Sequence, residues 1–192
     1  MVPTFPRKCS GSPYNRIKYS IAPAEHQPFD DNTFDLITVG SGVHWFNIDH
    51  FLVEANRLLK SRAWLILYEN HFIAEMEGHE DFKTWFYDVY LKKFPYPPRH
   101  KDYSRANENL DPKNFDFVKE EKFKNPVSMT RRKLALYFTT QSNVIAAVEN
   151  NSITYEEADQ WLERELVSFY KDDSLSYTIH YGNWIRYVRK SD

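Results

Sequence analysis

The stretch from Ala24 to Trp45 constrains the fold more than any other part of the chain. It reads AEHQPFDDNTFDLITVGSGVHW. Turn-forming residues are followed by a short run of β-formers, which ends in the small residues Gly40–Gly42. This pattern predicts a buried strand and then a loop where a ligand can approach the backbone. Because ligands of open α/β sheets bind beyond the carboxyl ends of the strands, the loop with His44 and Trp45 is a candidate site.

A helix and a second strand follow this loop. Asn47 or Asp49 can cap a helix that runs to about Lys60. The apolar run 64–68 has the length of a strand, and Glu69-Asn70 closes it. Strand, helix and strand together predict a parallel, right-handed crossover. Before this unit, alternating apolar residues predict another strand over residues 16–22. The apolar stripe of the helix comprises Phe51, Leu52, Ala55, Leu58 and Leu59.

Four short motifs in this region carry a family resemblance. They are Ala24-Glu25 with Gln27-Pro28-Phe29, then Asp31-x-x-Phe34-Asp35-Leu36, then His44-Trp45-Phe46, and then Phe51-x-x-Glu54-Ala55-x-Arg57-x-Leu59-Lys60. Over about residues 18–68 the chain resembles class I S-adenosylmethionine-dependent methyltransferases. The closest type is the small-molecule group (methyltransferase type 11) that includes the ubiquinone-biosynthesis and trans-aconitate enzymes. The resemblance implies an α/β fold, with a Rossmann-like sheet and flanking helices.

One departure from the family concerns the amino-terminal region. The family has two strands and a glycine-rich cofactor loop there, whereas residues 1–15 carry three prolines and no sustained periodicity. We therefore expect an irregular arm over residues 1–15 and a single, partial methyltransferase domain over 16–192 that lacks the N-terminal strands and the loop. A start position downstream of the true one is an alternative explanation.

Aromatic residues dominate the next region. A helical segment is predicted from Phe72 to Phe94, interrupted near Gly78 and stopped by the prolines that follow. By resemblance, an insertion over about residues 72–110 is the helical lid that covers the substrate in many relatives. The alternative is that its rings simply pack on the sheet, since apolar side chains at helical spacing are more often core.

The carboxyl-terminal third alternates between strand and helix patterns. A strand is predicted around residues 115–123, and Ser128 or Thr130 can start a helix. Thr154 and Glu157 form a capping box, which opens a helix to about Tyr170. Two further alternating runs, 177–181 and 184–188, flank Gly182-Asn183 and resemble the hairpin-like end of the family sheet.

The resemblance also implies the site residues. Ala24 and Glu25 would place the adenine of the cofactor, S-adenosyl-L-methionine, and Gly40 and Ser41 would offer backbone to its methionine part. His44 is the candidate catalytic base, because its intrinsic pKa suits proton transfer near neutral pH. A purely structural role for Glu25 or His44 is an equal alternative. The residues expected to contact the substrate are Trp45, Trp85 and Tyr90.

Three residues after the second predicted strand have the types of metal ligands. His71, Glu75 and His79 would share one face of a continuous helix. Gly78 interrupts that helix before the third residue, and the spacing is not the protease pattern. We therefore predict an exposed polar face and no metal.

Composition limits the partners. The net charge is −2, which gives no basic footprint for nucleic acid, and no apolar run has the length of a membrane span. The single cysteine, Cys9, fits a reducing compartment, so the cytoplasm is expected. The predicted function is O- or C-methylation of a small organic molecule, impaired by the missing loop. The alternative is a non-catalytic remnant or partner subunit, with a homodimer or partner chain covering the missing part of the sheet.

Overall fold

The computed structural model describes residues 17–98 and 114–192. In this part of the chain, four strands form one sheet in the order β1-β2-β4-β3, with helices packed against it. The strands are β1 (Phe34–Gly40), β2 (Leu59–Met76), β3 (Phe115–Thr130) and β4 (Ser176–Lys190). The helices are α1 (Ile48–Leu58), α2 (Asp81–Trp85), α3 (Leu91–Lys93), α4 (Arg131–Thr139), α5 (Ser142–Glu149) and α6 (Tyr155–Glu165).

The predicted crossover is confirmed. Strand β1 pairs with β2 in parallel, and α1 connects them. Asn47 caps α1, because its side chain accepts a hydrogen bond from the amide of His50. The apolar stripe of α1 is buried against the sheet, as its periodicity predicts. At the other end of this helix, the Lys190 ammonium donates to the carbonyl oxygens of Asn56 and Leu59, which ties β4 to the crossover.

Strands β2 and β4 are longer than predicted. Residues 72–76 continue β2 instead of starting a helix, since β4 provides antiparallel partners for them. The spacing of four between Phe72 and Met76 fits a strand as well as a helix, which explains the error. Residues 177–188 form one strand and no hairpin. A Cβ atom built on Gly182 would lie 2.5 Å from Nε2 of His71, so this glycine permits a close approach between strands.

The aromatic region is helical only after a turn. Gly78 adopts a positive φ of 77° in this turn, at the predicted interruption. Helix α2 then continues through a π-helical turn, Phe86–Tyr90, into α3. These helices pack together with α4 and α6 on the sheet, and their buried side chains form one cluster. We call this cluster the aromatic core. Its ring-bearing members are Phe82, Trp85, Phe86, Tyr90, Phe94, Phe138, Phe169, Tyr170 and Tyr181, and Phe72 packs against it.

A second cluster, the crossover core, lies between α1 and the other end of the sheet. It is mainly aliphatic and centres on Ile48, Leu52, Leu65 and Leu67. The capping box at Thr154 and Glu157 is confirmed at the start of α6, and Thr130 caps α4. The two cores therefore divide the described chain into an amino-terminal crossover and an aromatic carboxyl-terminal part.

Two predictions concern the beginning of the chain. The strand expected over residues 16–22 is wrong where the structure describes it, because residues 17–22 have no strand neighbour. Their alternating side chains are exposed, and Ile21 is 93% accessible. The predicted arm over residues 1–15 and the carboxyl-terminal part of the predicted lid, 99–110, lie outside the described residues. In residues 17–98 and 114–192, none of the helices has the length and apolar character to cross a membrane.

Candidate active site

A cavity of about 300 Å³ opens at the end of β1, where its parallel pairing with β2 stops at Gly40 and Tyr68. Both strands are parallel, so the residues that follow Gly40 and Tyr68 meet at the same edge of the sheet. The opposite wall comes from the π-helical turn, α4 and the start of α5. The lining residues are Ser41, His44, Trp45, Glu69, Asn70, His71, Phe72, Phe86, Tyr90, Tyr96, Tyr137, Phe138, Gln141, Ser142 and Asn143.

Two titratable side chains face each other in this cavity. Nδ1 of His44 lies 3.8 Å from Oε1 of Glu69, and both side chains are largely buried. Trp184 holds the carboxylate, since its indole nitrogen donates a hydrogen bond to Oε2 of Glu69 at 3.1 Å. At 3.8 Å the contact is longer than a hydrogen bond, so the carboxylate acts on the ring through its charge, which favours the protonated imidazole.

The turn after β1 is strained at Ser41. This residue adopts a φ of 50°, a left-handed conformation that costs energy for any residue except glycine. Its amide donates to the carbonyl oxygen of Tyr68 at 2.9 Å, and its hydroxyl accepts from the amide of Asn70 at 3.4 Å. These two hydrogen bonds hold the strained Ser41 at the mouth of the cavity.

Gly40 is required by packing. It lies opposite Tyr68 in the strand register, and the ring of Tyr68 covers it. A Cβ atom at this position would lie 2.7 Å from that ring. The glycine thus lets the aromatic side chain cross the end of β1, independently of any ligand contact.

The aromatic wall is fixed by hydrogen bonds as well as packing. The hydroxyl of Tyr90 donates to Oδ1 of Asn143 at 3.1 Å, and the side-chain amide of Asn143 donates to the carbonyl oxygen of Phe94 at 2.8 Å. Burial raises the pKa of Tyr90 well above its usual range, so this side chain stays neutral. Its ring packs on Phe138, with centroids 4.5 Å apart.

The structure brings together only some of the residues predicted from the sequence. Ser41, His44, Trp45 and Tyr90 line the cavity. Trp85 does not line it. This side chain stacks on Phe82 in the aromatic core, and its indole nitrogen donates to Glu165.

The predicted adenine-binding residues lie on the other side of the β1 end. Ala24 and Gly40 line an apolar groove of about 400 Å³ between β1 and α1. One carboxylate oxygen of Glu25 accepts a hydrogen bond from the amide of Asn47 at 2.8 Å. Glu25 therefore fastens its loop to the start of α1, whatever else it contacts.

The loop of residues 23–31 is also held by a buried ion pair. Glu54 accepts hydrogen bonds from the Arg57 guanidinium and from the amide of Gln27. These bonds lower the pKa of Glu54 to about 2, with the Arg57 bond as the largest cause. Arg57 also pairs with Asp31. Two motif residues, Glu54 and Arg57, are thus explained by the architecture of the loop.

The sequence predictions missed much of the cavity. Glu69 and Asn70 could have been found, because they are polar residues directly after the predicted strand 64–68, which was expected to lie parallel to β1. Tyr137, Phe138 and Asn143 carry no comparable signal, since they are distant in sequence and reach the cavity through packing of α4 and α5.

Comparison with known proteins supports the resemblance. Residues 1–67 match the family described as Methyltransferase domain. A protein of Dictyostelium discoideum assigned as a methyltransferase is 22% identical over 139 residues, which cover 70% of this chain and 52% of that protein. The demethylmenaquinone methyltransferase of Staphylococcus haemolyticus is 29% identical over 116 residues, covering 57% of this chain and 45% of that enzyme. The chain therefore spans about half the length of these curated relatives.

A solved structure shows the same fold. A protein of Anaeromyxobacter dehalogenans, assigned as a type II methyltransferase, superposes with a TM-score of 0.69 at 17% sequence identity. The superposition covers 93% of this chain and 74% of that protein. The predicted fold class, an α/β Rossmann-like sheet with flanking helices, is thereby confirmed. In its sequence match over residues 1–67 and in its fold, the chain is similar to class I S-adenosylmethionine-dependent methyltransferases.

Proposed function

We propose that the chain methylates a small organic molecule at oxygen or carbon, with S-adenosylmethionine as methyl donor. The observation that carries this proposal is the placement of His44 and the strained Ser41 in one cavity at the carboxyl end of β1, where its parallel pairing with β2 stops. In a protein with a methyltransferase fold, this edge of the sheet is where a ligand binds. A net charge of −2 and the single Cys9 favour a small-molecule substrate in the cytoplasm.

The residues present fit the methionine end of the cofactor. The groove beside Ala24 and Gly40 and the cavity beside Ser41 meet at the end of β1. We assign Ala24 and Glu25 to the adenine, and Gly40 and Ser41 to the methionine part. When bound, the cofactor supplies a methyl group activated by a sulfonium. Glu69 and the aromatic wall suit a neighbouring cation, through its charge and their π-faces.

His44 acts as the general base in this proposal. Its ring lies in the cavity, and the carboxylate of Glu69 stabilises the imidazolium that forms when the acceptor gives up a proton. Trp45 and Tyr90 shape the acceptor site from the mouth and the inner wall. Trp85, which the sequence predicted to contact the substrate, has only a supporting role in this proposal. It packs against the helical turn that carries Tyr90 and so supports that side of the acceptor site.

The test is methyl transfer from labelled S-adenosylmethionine to a pool of small metabolites. Replacing His44 by Asn should lower the rate about 100-fold or more, which is the usual contribution of a general base. His50→Asn is the matched control, because His50 is exposed on α1. An unchanged rate in His44→Asn would contradict the role of the base. No transfer by the folded wild-type protein to any metabolite would contradict the activity.

A second candidate function follows from the edge of β1 that faces away from β2. Within the described residues, β1 pairs only with β2. Leu36 on this strand is 49% accessible, although strands of parallel sheets are normally covered on both faces. We propose that a second copy or a partner chain covers this edge. If such a complex forms without binding cofactor, the chain is a non-catalytic subunit. A monodisperse monomer by light scattering would contradict the coverage.

A further inference from the structure

A series of side-chain contacts crosses three strands and ends at the proposed base. Glu120 on β3 is the register partner of Arg186 on β4, and the two side chains form an ion pair. Cζ of Arg186 lies over the ring of Trp184, 4.8 Å from its centroid. Trp184 is in turn the register partner of Glu69 on β2, and its indole nitrogen donates to Oε2 of that carboxylate at 3.1 Å. The contacts therefore connect β3 to the cavity.

The two carboxylate oxygens of Glu69 have different surroundings. Trp184 holds Oε2, whereas Oε1 faces Nδ1 of His44 at 3.8 Å. A glutamate side chain has several rotatable bonds, and this one borders a cavity, so a carboxylate without its donor is free to turn away from the imidazole. Because the attraction between opposite charges falls as their separation grows, the position of Glu69 decides how strongly it favours the protonated ring.

The charged side chains of this series are partly shielded from water. Those of His44 and Glu69 are 10% and 17% accessible, and those of Arg186 and Glu120 are 22% and 19% accessible. Salt screens partly buried charges less than exposed ones, and a cation packed on an aromatic ring is bound more strongly when it is desolvated. The ring of Trp184 is thus held by a charged side chain, while its nitrogen holds the carboxylate.

We infer that Trp184 is a positioning residue for the proposed base. Its indole nitrogen keeps the charge of Glu69 beside His44, and Arg186, anchored by Glu120, keeps the indole in place. Trp184 is not among the lining residues of the cavity, so it acts through the carboxylate and not on a bound molecule. This inference rests on the proposed function, because it names a residue that acts on the base of that reaction.

Other titratable groups also lie near His44. The cavity lining contains His71, and no lysine or arginine is among its described residues. The lining also contains the tyrosines Tyr90, Tyr96 and Tyr137. On the side of α1, Glu25 and Glu54 are bonded to other groups, and Asp49 lies in the first turn of the helix. None of these residues is changed in the variants that test the inference, so their effects on His44 are the same throughout.

An NMR titration of the histidine rings in the full chain tests the inference without any cofactor. The signal of His44 is identified by its absence in His44→Asn. Glu69→Gln keeps the size of the side chain and removes its charge, so it should lower the measured pKa of His44 by about one unit. Trp184→Phe keeps a ring and removes the donor, and should lower this pKa by about half a unit, because the carboxylate is still present but no longer held.

Two further variants separate this effect from a general loss of structure. Trp64→Phe is the matched control, since Trp64 also lies beneath an arginine on the sheet but outside the cavity lining, and should leave the pKa of His44 unchanged. Arg186→Lys keeps the charge and loses the planar group that packs on the indole, so it should lower this pKa by less than Trp184→Phe does.

An unchanged pKa of His44 in folded Trp184→Phe would overturn the inference, and so would an equal decrease in Trp64→Phe. If Trp184→Phe does not fold, Arg186→Lys takes its place, and an unchanged pKa in that variant has the same meaning.

The two proposals can fail separately. If Trp184→Phe lowers the pKa of His44 but the wild type transfers no methyl group, the proposed function fails and the positioning role stands. If methyl transfer depends on His44 while its pKa is the same in Trp184→Phe, the function stands and the positioning role is wrong. Where both hold, the acid limb of the pH–rate profile should move to lower pH in Trp184→Phe by the same amount as the pKa. A purely structural defect would lower the rate equally at every pH.

Discussion

The crossover core and the aromatic core are built from different side chains and lie at different places in the fold. The crossover core is mainly aliphatic, lies beside the motifs of the family resemblance and borders β1, which within the described residues pairs only with β2. The aromatic core is enclosed by helices and forms the inner wall of the cavity. The comparison teaches that the recognisable part of the chain carries the residues proposed for the cofactor, whereas the less recognisable part supplies most of the aromatic wall of the cavity.

The largest effect is expected in the aromatic core. Phe138 is 1% accessible, and its ring contacts those of Trp85, Phe86 and Tyr90. Phe138→Ala should lower the free energy of unfolding by about 3–5 kcal/mol through lost burial and the cavity that remains. Denaturant unfolding measures the change. Leu136→Ala on the same helix, where the side chain is 39% accessible, is the control. Equal losses in both variants would show that α4 packs differently.

The next effect is expected in the loop beside the crossover core. Glu54→Gln should lower the free energy of unfolding by about 2 kcal/mol, because it removes charge-assisted hydrogen bonds to Arg57. The pKa of Glu54 is about 2 when folded, below the ordinary value of 4.5. Its stabilisation is therefore complete above about pH 4.5 and is lost as the pH falls towards 2.

Unfolding measured between pH 5 and pH 3 checks this sign. The wild type should lose more stability over the range than Glu54→Gln, which lacks the titrating group. Glu149→Gln, at an exposed position on α5, should follow the wild type. Parallel curves for all three proteins would show that the ion pair does not hold the loop.

A smaller effect tests the link between the two parts. Lys190 extends from β4 and donates to carbonyl oxygens at the end of α1, as well as to the side chain of Asn32. Lys190→Met should lower the free energy of unfolding by about 1–2 kcal/mol, since the helix end loses its donor. Lys171→Met is the exposed control. No loss of stability would mean that water replaces these bonds fully.

The smallest effect on stability is expected at the open edge. Leu36→Lys should change the free energy of unfolding by about 0.5 kcal/mol or less, because Leu36 is half exposed. If a second copy or a partner covers β1, the same change should disrupt the assembly, since a charge would be buried at the edge. Light scattering of both proteins measures this. Identical assembly in wild type and Leu36→Lys would contradict coverage through this strand.

Local patterns predicted the crossover and the start of α6, and failed where the structure depends on strand pairing between distant parts of the chain. The stripe of α1, its cap at Asn47 and the capping box at Thr154 depend on neighbouring residues, so the sequence contains them in full. The extent of β2 depends on β4, which is about a hundred residues later in the chain, and a spacing of four does not separate strand from helix. Gly182 was predicted to lie in a turn. A glycine is typical of turns, but it also occurs where two strands approach each other closely, as it does here.

The candidate site shows the same division. His44 and Ser41 could be predicted because they follow a strand and a run of small residues. To predict that Glu69 lines the cavity, one must know that its strand lies next to β1. Tyr137, Phe138 and Asn143 required the packing of α4 and α5, which no local pattern specifies. Cavity residues that follow a predicted strand were therefore more predictable than those that reach the cavity through helix packing.

Binding of S-adenosylhomocysteine tests the central claim most directly. Calorimetry on this chain, with thermal unfolding measured in parallel, should show saturable micromolar binding and a raised melting temperature. Ser41→Asp should abolish the binding, because it places a carboxylate at the strained turn of the proposed site, whereas Ser168→Asp, at an exposed position, should not. No binding by a wild-type chain that unfolds cooperatively would contradict the cofactor site between Ala24 and Trp45.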